Sequence, residues 1–156
     1  MENKKSIEVL NTLITINNDR IEGYETASKE TEEQDLKTLF AQFIQTSQKC
    51  KLELVNEVSQ LGGTPAEGTK NSGKFFRVWM DVKAALTGKD RKAILSSCEY
   101  GEDMALETYK NALEDNISDI SPEQQKMVNS QYALIKADHD KVKSMRDSLL
   151  EQKSNS

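Results

Sequence analysis

Apolar residues recur along most of the chain every three to four positions, the spacing that lines one face of an α-helix. A first helix is predicted from about Asn3 to Ser28, where Ile7, Leu10, Ile14, Ile21 and Tyr24 form one stripe. The polar run Lys29 to Gln34 ends it. A second is predicted from about Asp35 to Leu61 on Leu36, Leu39, Phe40, Phe43, Ile44, Cys50, Leu54 and Val58, with Gly62-Gly63 as its stop. The stretch GGTPAEGTKNSG reads as a loop, and a short amphipathic helix from about Lys74 to Leu86 follows it, carrying Phe75, Phe76, Val78, Trp79 and Val82. A third long helix, about Asp90 to Glu114, turns Ile94, Leu95, Cys98, Ala105, Leu106, Tyr109 and Leu113 inward. The fourth runs from Pro122 to about Glu151 on Val128, Tyr132, Ile135, Val142 and Leu149, with Ser121 as N-cap and Pro122 at the first helical position.

The order of these elements suggests a topology. Two short connections make two antiparallel hairpins, and the long segment between them is able to return along the bundle, leaving the second and third helices parallel. Trp79 is expected to dock the crossover helix on the bundle. This is the connectivity of a ferritin-like four-helix bundle, an all-α fold. One domain is expected over residues 1–152, with 153–156 a frayed tail.

Composition narrows the function classes. Lys and Arg number 21 against 26 Asp and Glu, a net charge of -5 with the two signs interspersed, which argues against a nucleic-acid partner. No apolar run is long enough to cross a membrane, and the amphipathic N-terminal stretch lacks the apolar core of a secretory signal, so cytoplasmic placement is expected. Cys50 and Cys98, set among apolar positions, read as reduced core residues. Tyr24, Tyr109 and Tyr132 read as core aromatics with hydrogen-bonded hydroxyls.

Ferritin-like di-iron centres draw one Glu from each of two helices and a Glu-x-x-His pair from each of the other two. Antiparallel pairing brings Glu22 and Glu25, Phe43 and Ser47, Glu99 and Glu102, and His139 within about two turns of one another. Glu22-Gly23-Tyr24-Glu25 and Glu99-Tyr100-Gly101-Glu102 repeat a pattern, as two related halves would. Glu102 and His139 lie on inward lines, Asn17 and Ser47 sit mid-stripe, and Glu22, Glu25 and Glu99 fall nearer the edges. The full centre cannot be assembled: His139 is the single histidine, Lys136 stands where the pattern wants Glu, and the second helix offers neither His nor an inward carboxylate near its middle. Asn17, Ser47, Glu102 and His139 are expected instead to form a buried polar layer that fixes helix register. No catalytic or cofactor-binding residue and no metal is expected. Iron or manganese at Glu102, His139, Glu22, Glu25 or Glu99 is the alternative.

The stretches LNTLITINNDRIEGYETA (10–27), LVNEVSQLGGTP (54–65), WMDVKAALTGKDRKAILSSCEYGEDMALETYKNAL (79–113) and ADHDKVKSMRD (137–147) resemble a bacterial family of ferritin-like four-helix proteins of unknown function. The resemblance implies that fold, a bacterial cytosolic setting and no established activity, and it supplies no catalytic residue. The expectation is a non-enzymatic bundle acting by interaction, with self-association into a homo-oligomer possible and a stress-related setting suggested by family analogy. A degenerate metal binder or oxidase, or a carrier of apolar ligands beside Trp79, are the alternatives.

Overall fold

A computed structural model describes residues 2–67, 84 and 91–154. They form four long helices, α1 (Glu2–Glu30), α2 (Gln34–Gln60), α3 (Arg91–Glu114) and α4 (Pro122–Ser154), with a single 3₁₀ turn, Ile117–Asp119, before α4. No strand occurs among the described residues. Of the expected crossover helix Lys74–Leu86 only Ala84, which is helical, is among them; Trp79 lies outside them.

The helix ends follow from local chemistry. Gly62 closes α2 with φ +82°, a left-handed conformation that a Cβ would strain. Its N–H donates to Ser59 O and that of Gly63 to Val58 O, so two of the last carbonyls of α2 are satisfied by the turn itself. Gly63 sits against Ile7, whose side-chain atoms stand 2.7–2.9 Å from where a Cβ would project. Asn11 extends this contact: its amide donates to Thr64 O and its carbonyl accepts from the Ala66 N–H, tying the segment after α2 onto α1. At the start of α4, Ser121 Oγ accepts from the Gln124 N–H while Gln124 Oε1 accepts from the Ser121 N–H, a reciprocal cap with Pro122 inside it.

α1 packs mainly on α2, and α3 on α4; the two hairpins meet through α1 with α3 and α2 with α4. Every neighbouring pair is antiparallel. Asn17 pairs with Tyr109 while Tyr24, further along α1, pairs with the earlier Glu102. Gln124 meets Glu57 while Lys141 meets the earlier Gln42. Hence α2 and α3 run parallel on a diagonal, and the last turn of α2 lies at the opposite end of the bundle from the first turn of α3.

Two apolar clusters fill the interior. One gathers Leu10, Leu13, Ile14, Leu54, Val58, Tyr109, Val128 and Ile135. The other gathers Tyr24, Leu36, Leu39, Phe40, Phe43, Ile94, Leu95, Cys98 and Val142. Tyr24 stacks on Phe40 at 5.4 Å between ring centres and meets Phe43 edge-on at 5.1 Å. Cys50 and Cys98 are free and fully buried. No helix of the described residues is long and apolar enough to cross a membrane.

Candidate functional site

Between the apolar clusters lies a polar seam built from all four helices. Arg20 of α1 is 1% exposed, and its guanidinium reaches each of the other three. Nη1 donates to Ser47 Oγ of α2; Nη2 donates to Glu102 Oε1 of α3 at 2.7 Å and to Asp138 Oδ2 of α4 at 3.3 Å. The Tyr24 hydroxyl, one turn further along α1, donates to the same Glu102 oxygen at 2.6 Å. A planar fork of N–H donors suits this task, since it serves several acceptors at fixed angles from one charged centre.

A second layer adjoins the first and again draws on all four helices. Asn17 Nδ2 donates to the Tyr109 hydroxyl at 2.8 Å, and Tyr109 donates to Gln131 Oε1 at 2.7 Å. Gln131 Nε2 then donates to Cys50 O and Glu53 Oε1. Three buried atoms in the seam, Asn17 Oδ1, Arg20 Nε and Glu102 Oε2, make no hydrogen bond among the described residues.

Burial sets the electrostatics. It opposes the charge on Arg20, but the adjacent Glu102, then Tyr24 and Asp138, outweigh it and hold the guanidinium above its usual range. Burial raises the Asp138 carboxyl, Arg20 pulls it back and Glu102 pushes it up again, leaving it above the ordinary carboxylate value. Tyr24 is raised by burial and by Glu102; Tyr109 by burial and by Cys50. Burial also pushes the Cys50 thiol up to about 11, and burial with Glu102 raises Cys98 further. These thiols are poor nucleophiles.

Three residues of the expected polar layer, Asn17, Ser47 and Glu102, are buried as the sequence suggests, at 0%, 0% and 1% exposure. His139 is not among them. On α4, Val128, Ile135 and Val142 face inward as expected, but Gln131 and Asp138 take the inward places expected of their neighbours Tyr132 and His139. Asp138 therefore enters the core, and His139 stands at the α3–α4 margin. Its Nε2 lies 2.7 Å from Asp103 Oδ1 and 3.9 Å from Glu99 Oε1; its Nδ1 lies 3.1 Å from Asp140 Oδ1. Glu102 and His139 thus belong to different sites, so a metal centre built on that pair is not assembled. Glu22 and Glu25 face solvent, and Tyr100 is exposed where Tyr24 is buried, so the two Glu-x-x-Glu segments play unlike parts.

Sequence reasoning misses Arg20, Asp138 and Gln131. A signal for Arg20 exists: Leu13, Arg20 and Ala27 are spaced by seven residues, and the two that flank Arg20 are apolar. Of the described residues, Glu99, Asp103 and His139 form the one group whose donor atoms, all within 4.8 Å of one another, could hold a metal ion. An open groove of about 450 Å³ between α1 and α3, with Lys5, Glu8 and Asp119 at its polar rim and Val9 and Ala112 in its lining, lies apart from both.

No curated protein matches the chain. Residues 5–115, spanning α1 through α3, match the family described as a domain of unknown function (DUF2383). That span contains Arg20, Tyr24, Ser47 and Glu102, and the chain belongs to this family.

Proposed function

We propose that this chain is a ferritin-like bundle of bacterial, cytosolic type that works without catalysis, through its surface and by self-association. The observation that carries this reading is the placement of Arg20. Glu102 and Asp138 are buried carboxylates at the level where a ferritin-like centre gathers its ions, and the Arg20 guanidinium of α1 already bonds both. Its positive charge does for these carboxylates what a metal ion does in that fold. The all-antiparallel packing with α2 and α3 parallel across the diagonal agrees with ferritin-like connectivity.

The core is then a fixed structural element, and interaction falls to the outside. Leu52, on the outward face of α2, is 62% exposed, and Tyr100 on α3 is 53% exposed. Side chains of this kind supply contact area to a partner. Sedimentation velocity over a wide concentration range tests the reading. A reversible shift to a larger species, weakened by Leu52→Ser or Tyr100→Ser, is expected. A monomer at every concentration overturns self-association, and stoichiometric metal lost on changing Glu102→Gln overturns the account of the core.

A further inference from the structure

We infer that Glu99, Asp103 and His139 form a clip for one divalent first-row transition-metal ion on the outer margin between α3 and α4. The site is separate from the buried seam and does not depend on the reading of it.

The geometry begins with α3. Glu99 and Asp103 are four residues apart, so their carboxylates stand one above the other on one face of α3. His139 of α4 faces them, its Nε2 at 2.7 Å from Asp103 Oδ1 and 3.9 Å from Glu99 Oε1. Two ligands about 2.0–2.2 Å from one ion sit roughly 3–3.5 Å apart, and these separations bracket that range. An imidazole with two carboxylates, and further positions open to water, suits zinc, cobalt, manganese or ferrous iron, whereas calcium and magnesium prefer oxygen alone.

Two residues outside the donor set hold the ligands from behind. Asp140 lies against His139 Nδ1 at 3.1 Å, the position of the carboxylate that orients a metal-bound imidazole. Arg146 Nη1 bonds Glu99 Oε2, which leaves Oε1 as the oxygen on the His139 side. His139 and Glu99 are only 15% and 14% exposed in their side chains, while Asp103 is 55% exposed, so the clip is anchored on one side and open on the other.

The test is isothermal titration of the full chain with Co²⁺, read in parallel by the cobalt absorption spectrum and by the melting temperature. One saturable site is expected, with nitrogen ligation in the spectrum and a higher melting temperature on loading. His139→Ala and Asp103→Asn should each weaken binding at least tenfold and abolish the thermal shift. Asp140→Asn should weaken it less. Glu25→Gln, which alters a carboxylate that faces solvent on α1, should leave it unchanged, and circular dichroism verifies that each variant is folded. Absence of saturable binding overturns the inference, as does binding that His139→Ala leaves intact. Loss of the ion in Glu102→Gln with retention in His139→Ala would overturn both this clip and the account of the core. Loss in His139→Ala with retention in Glu102→Gln supports the clip and leaves that account standing.

Discussion

Arg20 and Glu102 meet at 2.7 Å with side chains 1% and 0% exposed, joining α1 to α3 by a charged pair sealed from water. Removing one partner of such a pair leaves the other charge buried and bare. Arg20→Met should therefore cost about 3–5 kcal/mol in urea unfolding, because Glu102 and Asp138 both lose their cation. Adding Glu102→Gln should recover part of that loss by removing one of the two charges. If the double variant is no more stable than the single, the pairing is not the source of the effect.

Arg20→Lys keeps the charge and loses the fork. A single ammonium cannot reproduce the angles that serve Ser47, Glu102 and Asp138 together, so a loss of about 1–3 kcal/mol is expected, the size of a buried acceptor left unmade. Stability equal to that of the native chain would show that charge alone suffices.

Alkali should loosen the bundle. Cys50, Cys98, Tyr24 and Tyr109 all have folded-state pKa values raised above their ordinary ones, Cys50 to about 11 from 9.0. Between the ordinary and the raised value the unfolded chain has shed a proton that the folded chain retains. Unfolding then releases protons, and stability falls as pH rises. It is at full strength below about pH 9 and declines beyond, so the urea midpoint should drop between pH 9 and 11. A flat midpoint over that interval would count against it.

The same burial protects the thiols. Both cysteines should resist iodoacetamide at pH 8 in the native protein and react fully in denaturant, as mass spectrometry would reveal. Rapid labelling of Cys50 in the folded chain would contradict its burial.

At the end of α2 the two glycines should respond differently. Gly62→Ala meets no atom within 4 Å, so its cost, about 1 kcal/mol, comes from the φ of +82° alone. Gly63→Ala has no such φ but drives a methyl into Ile7, costing about 1–3 kcal/mol, most of which should vanish when it is made on an Ile7→Ala background. Thermal melts of these variants distinguish strain from crowding.

What was legible in the sequence is what periodicity and local turn chemistry encode. The helices begin and end near their expected limits because Gly62-Gly63 and Ser121-Pro122 act on their own neighbours. Asn17, Ser47 and Glu102 were legible as inward because each lies on a stripe of apolar residues. Arg20 and Asp138 were not, for two physical reasons. A charged side chain is read as solvated, since burying it unpaired is costly, and here the pairing that permits burial lies on other helices, far along the chain. The stripe also shifts phase over a long helix, so choosing Ile21 over Arg20, or His139 over Asp138, turns on a single residue. Ile21 is in fact only partly buried.

The seam has a consequence for how the molecule comes together. The α1–α2 hairpin owns the cation and the Ser47 acceptor; the α3–α4 hairpin owns both carboxylates. Each half lacks the seam partners that the other supplies, so a half folded alone would leave Arg20 without Glu102 and Asp138, or those carboxylates without Arg20. Partial structures are penalised from both sides, and the transition between unfolded and native chain is driven toward a single all-or-none step. Expressed as two separate fragments, the hairpins should gain order chiefly upon meeting each other.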